Sequence, residues 1–255
     1  MSITNLVPIP PKINEGVTNA KQATMLALLG NPRDSYDQEC RDITNPRLAA
    51  MLISDSVGPF RVRGLKPALE SLKEVMRDIE ANVPDVFEGL GTAGMLCARL
   101  VRGSQTSISN HSWGTAVDLT LDGVLDVRGD NRVQEGLTRI FRVFNRRGWF
   151  WGAGFPVEDG MHFECGDELL RKWAQDGIFG STPVAALHRL LSLGDRGPEV
   201  VRLQQALVSK SAANIAADGD FGRGTQAAVM AFQAASGLTI DGVAGPETMA
   251  KLGIG

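Results

Sequence analysis

Histidine is scarce in this 255-residue chain, with His111, His162 and His188 the only three. Any chemistry that needs more than one imidazole must draw on most of them. Cysteine is equally sparse. Cys40, Cys97 and Cys165 show no C-x-x-C spacing, which excludes a cysteine-rich zinc site. An odd, scattered set is no disulfide framework either, so the three read as small buried residues of a chain made in a reducing compartment. Excess charge is missing too. A formal net charge of −3 gives no reason to expect nucleic acid or an anionic membrane as partner. No run of 18 apolar residues occurs, so no spanning helix is expected. The opening MSITNLVPIPPKINEG has no basic region leading into an apolar core and does not read as a secretory signal. The expectation is a monomer, made in a cytoplasm and let out by other means if it acts outside.

What is present is ordinary for a folded chain: 43% apolar and 22% charged residues, enough for one large domain or two unequal ones. LKPALESLKEVMRDIEANV (65 to 83) places Leu69, Leu72, Val75, Met76 and Ile79 at three- and four-residue spacing, a one-sided helix. AKQATMLALLG (20 to 30) and NRVQEGLTRIFRVFNRRG (131 to 148) read as helices stopped by glycine. RLAAMLI (47 to 53) and ELLRKWAQDG (168 to 177) read as helices, GMLCARLV (94 to 101), AVDLTLDG (116 to 123) and GMHFECG (160 to 166) as strands. GIFGSTPVAA (177 to 186) reads as a linker. After it come two copies of D-G-x-x-G-x-x-T, DGDFGRGT (218 to 225) and DGVAGPET (241 to 248), read as turn and capping chemistry. The domains expected are 1–180 and 184–255, the first α+β with a small antiparallel sheet and flanking helices, the second small and all-α.

Two of the three histidines lie in strand-like stretches that also carry acids. His111 precedes Asp118 in SNHSWGTAVDLTLDG, and His162 sits in EDGMHFE. Alternation along a strand lets Asp118 leave the core while Val117 and Leu119 enter it, and puts His162 and Glu164 on one face. Two imidazoles and one carboxylate make a three-ligand zinc set with a fourth position open. The same residues also read as hydrogen-bonded structural histidines and a turn aspartate. Trp113, Trp149 and Trp151 read as core, and His188 as structural or surface.

The spacing S-x-H-x-x-G-x-A-x-D, met by Ser109, His111, Gly114, Ala116 and Asp118, resembles the first zinc motif of the D-alanyl-D-alanine carboxypeptidase family. That family includes vancomycin-resistance carboxypeptidases and phage L-alanyl-D-glutamate endopeptidases. DGMHFE resembles the second motif, an acid three residues before a histidine, and GWFWGAGF and ARLVRGS resemble its neighbouring segments. The likeness covers about residues 90 to 175. It implies His111, Asp118 and His162 as zinc ligands, Asp159 as general base with Glu158 its rival, and an oxyanion-stabilising arginine, Arg99 ahead of Arg102. Residues 187 to 253 resemble the three-helix peptidoglycan-binding domain attached to many cell-wall hydrolases. Together these imply a zinc peptidase acting on the peptidoglycan stem, of the phage endolysin type, made in the host cytoplasm and released to the wall at lysis. Cleavage of the L-Ala to D-Glu bond is favoured over D-Ala to D-Ala carboxypeptidase activity. A non-catalytic wall-binding protein is the reading from another class. The first 60 or so residues resemble nothing named.

Overall fold

The computed structural model describes residues 2–180, 190–238 and 240–254, so His188 and most of the expected linker lie outside the described residues. The chain divides into two compact units, Met1–Met25 with Leu29–Ile178, and Leu26–Leu28 with Phe179–Gly255. In chain order the elements are β1 (Leu6–Pro8), α1 (Gln22–Leu29), α2 (Pro46–Ala50), β2 (Leu52–Ser56), β3 (Arg61–Leu65), α3 (Lys66–Asn82), α4 (Pro84–Gly89), β4 (Leu90–Gly94), β5 (Ala116–Leu121), β6 (Val124–Leu125), β7 (Arg132–Gln134), α5 (Glu135–Arg146), β8 (Trp149–Trp151), β9 (His162–Cys165), α6 (Asp167–Gln175), α7 (Pro198–Ser211), α8 (Arg223–Ser236) and α9 (Pro246–Leu252).

The principal sheet is antiparallel, in the order β4-β5-β9-β8, with β6 folding back on β5. Its register pairs Asp118 with His162 and Val117 with Phe163. Period-two alternation therefore sends Phe163 into the core and His162 with Glu164 to the other face. In the core Phe163 stacks on Phe144 of α5, ring centroids 4.0 Å apart, and lies parallel to Trp151 at 6.0 Å. The apolar stripe of α3 is wholly buried, as its spacing implies. Trp113, Trp149 and Trp151 are buried, and each indole N–H finds an acceptor: Gly30 O, Ser71 Oγ and Gly160 O. Large aromatic payload with satisfied N–H groups is how tryptophan enters a core without penalty.

Three local expectations need correction. RLAAMLI is not one helix. Asn45 caps a single turn by accepting from Arg47 N and Leu48 N, and after Met51 the chain becomes β2, paired residue for residue with β3. The partner strand, not the local pattern, decides the second half. GMLCARLV is not a strand: β4 ends at Gly94, whose φ of +124° turns the chain away, and residues 95–101 keep only isolated bridges, Ala98 to Arg41 and Leu100 to Ile108. Cys40 and Cys97 are joined in a disulfide beside the Arg41–Ala98 bridge, with Cα atoms 5.0 Å apart. Only Cys165 is the buried free thiol expected of all three.

In the second unit α7, α8 and α9 enclose a core of Val200, Leu203, Leu207, Phe221, Val229 and Met249. The two D-G repeats are each held by a buried glutamine. Gln204 Oε1 accepts from Gly219 N, and its Nε2 donates to Asp218 Oδ1 and Thr225 Oγ1. Gln233 repeats the pattern on Gly242 N, Asp241 Oδ1 and Thr248 Oγ1. The threonines thus serve as acceptors for a helix side chain, while the adjoining helices α8 and α9 begin at glycine N-caps with no side-chain cap.

Candidate metal centre

His111 stands on a short 3-10 turn, Asn110–Trp113, which closes at Gly114 in the left-handed region with φ +66°. A Cβ on Gly114 would lie 2.8 Å from both Gly64 Cα and Leu65 N, so the position admits only glycine. Two residues later β5 begins, and Asp118 is its third residue. The seven-residue spacing is thus a turn plus three residues of strand, returning the aspartate to the histidine. His162 arrives from the paired strand β9.

The three donor atoms form a nearly equilateral triangle. His111 Nε2 is 3.2 Å from Asp118 Oδ1 and 3.2 Å from His162 Nδ1, and His162 Nδ1 is 3.1 Å from Asp118 Oδ1. This grouping of metal-ligating side chains is the one found among the described residues. Tetrahedral ligands at about 2.0–2.1 Å from zinc stand about 3.3–3.4 Å apart, so the donor set fits that ion with little movement.

The far nitrogen of each imidazole is committed elsewhere. His111 Nδ1 lies 2.9 Å from Met95 O, and His162 Nε2 lies 2.9 Å from Glu164 Oε2. Donation at those atoms leaves the inner nitrogens with free lone pairs, the tautomers a metal requires. Glu164 is buried and accepts further bonds from Ala20 N and Asn110 Nδ2. Burial pushes the Asp118 carboxyl up, but the facing imidazoles outweigh it and hold it well below the usual range. Burial pulls His162 down, yet its bonds to Asp118 and Glu164 win and raise it to about 10. The cluster's own field favours positive charge at its centre.

Asp159 lies beside this triangle. Its carbonyl accepts from His162 N, its Oδ2 is 3.4 Å from Arg128 Nε, and its Oδ1 is buried with no hydrogen-bond partner among the described residues. Burial raises its pKa. Glu158 is turned the other way: its Oε1 accepts from Asp130 N and its carbonyl from Gly129 N, which anchors the loop carrying Arg128. Arg99 is half-buried and close enough to Asp118 and Asp159 to interact with their charges, whereas Arg102 is exposed. Ser112 Oγ bonds Arg99 N and O, tying the arginine segment to the histidine turn.

Four further groups at the site carry no sequence signal of their part in it. Strand alternation puts Glu164 on the face of His162 without naming its partners, and nothing in the pattern flags Arg128, the Met95 carbonyl or the N-terminal strap. In that strap Ala20 N binds Glu164 and Lys21 N binds Asp167, while Thr18 binds Glu168 through both N and Oγ1. The first residues of the chain are therefore a brace behind His162.

Residues 102–165 match the family described as D-alanyl-D-alanine carboxypeptidase, and residues 196–252 match a putative peptidoglycan binding domain. The first match contains His111, Asp118, Asp159 and His162 and stops short of Arg99. Over 64 residues the chain is 45% identical to the zinc D-Ala-D-Ala carboxypeptidase of Streptomyces albus G, covering 24% of this chain and 25% of that protein. It is 46% identical to a solved endolysin of a Burkholderia AP3 phage over 26% of this chain and 25% of the other, with a TM-score of 0.25. The chain thus spans about a quarter of the length of each of these relatives.

Proposed function

We propose that the protein is a zinc metallopeptidase that hydrolyses peptide bonds in the peptidoglycan stem. The observation that carries this reading is the triangle of His111, Asp118 and His162, with both outer nitrogens tied off and, alongside, a carboxylate oxygen of Asp159 that has no partner among the described residues. His111 Nε2, Asp118 Oδ1 and His162 Nδ1 would hold the ion. Zinc there supplies Lewis acidity toward the scissile carbonyl and toward water. Asp159 takes the proton of the attacking water and returns it to the leaving amine, a role that its raised pKa suits. Arg99 supplies positive charge where the carbonyl oxygen becomes negative. Loss of any one of these groups would be expected of a non-catalytic descendant, and all are present.

The C-terminal unit, proposed as 184–255, serves to hold the enzyme on the wall, raising the local concentration of a catalytic unit proposed as 1–180. We read the whole as a monomeric endolysin that is made in a host cytoplasm and reaches the wall at lysis. No helix among the described residues is long and apolar enough to cross a membrane. The bond favoured is L-Ala to D-Glu, because cutting there opens the mesh, whereas trimming a terminal D-Ala leaves it intact. The name of the Streptomyces relative favours the second reading, a D-Ala-D-Ala carboxypeptidase. Mass spectrometry of digested peptidoglycan separates them: a new D-Glu amine supports the endopeptidase, free D-Ala the carboxypeptidase. Intact walls after incubation with zinc-loaded protein would overturn both.

A further inference from the structure

Gly94 and Met95 face two ways. Gly94 pairs with Asp118 across β4 and β5, and the Met95 carbonyl receives His111 Nδ1, so this backbone supports two of the three metal-binding side chains. The same two residues line a cavity of about 520 Å³ on the flank of the site. Arg61 and Arg63 of β3 line it as well. Two residues apart on one strand, they stand on the same face, about 7 Å from each other, with buried Val62 turned inward between them.

Arg61 Nη2 donates to the Ser54 carbonyl and lies near enough to Asp55 to act on its charge, but Asp55 is bonded to Lys73, and neither Arg61 nor Arg63 forms an ion pair among the described residues. Arg41, also in the lining, is already engaged by Asp37 and Glu39. Asp42 is the one acidic side chain in the lining, leaving the cavity with a surplus of positive charge. Guanidinium groups bind carboxylates through paired N–H donors, and two of them side by side select for that group over a neutral amide.

We propose that this cavity is a subsite for a carboxylate-bearing residue of the peptide substrate, read by Arg61 and Arg63 while the neighbouring peptide bond lies at the metal centre. The inference rests on the peptidase reading above. Stem peptides offer such a group beside either candidate bond: the α-carboxylate of γ-linked D-Glu, or the C-terminal carboxylate of D-Ala.

The test uses full-length, zinc-loaded protein and three soluble muropeptides: one with both carboxylates free, one amidated at the D-Glu α-carboxylate, and one amidated at the C-terminus. Wild type is expected to favour the free acid over one of the two amides by about tenfold or more in kcat/KM, mainly through KM, as loss of a charge-assisted bond entails. The amide that suffers identifies which carboxylate is read. In Arg63→Ala and in Arg61→Ala/Arg63→Ala that ratio should fall toward one at unchanged zinc content, and Arg63→Lys should keep part of it. A wild-type ratio within about twofold at both positions overturns the subsite, as does an undiminished ratio in the double variant, or one lost only together with zinc. Failure of zinc-loaded wild type to cleave any of the three overturns the peptidase reading, and the subsite with it.

Discussion

Replacing Glu164 with glutamine changes one atom and should disable the site. The carboxylate is 2% exposed and receives three donors: Ala20 N at 2.9 Å, Asn110 Nδ2 at 2.8 Å and His162 Nε2 at 2.9 Å. A glutamine keeps the shape but offers one acceptor oxygen and an NH2 group. Whichever way the amide turns, the NH2 meets a donor. If it takes the place of Oε1, Ala20 N loses its partner, and His162 and Asn110 share a neutral amide oxygen in place of a carboxylate. If it takes the place of Oε2, Asn110 Nδ2 loses its acceptor, and the imidazole must present Nε2 as acceptor and move its proton to Nδ1, where the metal lone pair is needed. A bond to a charged acceptor contributes about 1.5–3 kcal/mol, and 1.4 kcal/mol is tenfold in an equilibrium constant. Glu164→Gln should therefore weaken zinc binding by about ten- to a hundredfold, the usual scale for the group behind a metal-bound histidine. Competition against a chelator of known affinity measures it, with circular dichroism to confirm that the variant folds. A folded Glu164→Gln protein that binds zinc within about threefold of wild type would refute the role given to the carboxylate behind His162.

Asp159→Asn should retain zinc and lose at least about a hundredfold in kcat, while Asp118→Ala should lose the metal itself; elemental analysis and turnover of one muropeptide distinguish them, and near-normal turnover in Asp159→Asn would remove it as the base. Asp126 is buried, with one oxygen bonded to Gln134 N and the other without a partner among the described residues, and burial raises its pKa to about 6. Because the folded value lies above the unfolded one, its contribution to stability is fully present below about pH 4 and is lost as pH rises through about 6, a change on the order of 2–3 kcal/mol; Asp126→Asn should flatten that part of the stability profile measured by urea unfolding, and an unchanged profile would count against it. Gly114→Ala forces a Cβ to 2.8 Å from Gly64 Cα at a positive φ, and should cost more than about 2 kcal/mol together with the zinc site; a melting temperature equal to wild type would contradict the close approach.

The features legible in the sequence are those that local chain geometry dictates. Gly114 reverses the chain after His111, and strand alternation takes Asp118 off the core, so the first two candidate ligands stand out within ten residues, their role as ligands being what the family resemblance implies. The stripe of α3 and the burial of the tryptophans follow from spacing and from side-chain size. The tertiary structure alone decided the contacts made across long separations. Ala20 reaches Glu164 over 144 residues, and Cys40 meets Cys97 over 57. Arg128 is brought to Asp159 by a loop that Glu158 holds, and the strand character of residues 52–56 exists only because β3 lies beside them. Such pairings leave no periodic signal, because each partner satisfies its local pattern equally well without the other. The chain thus spelled out its donor atoms, while the groups that fix their tautomers, brace them and charge the neighbouring cavity came together only on folding.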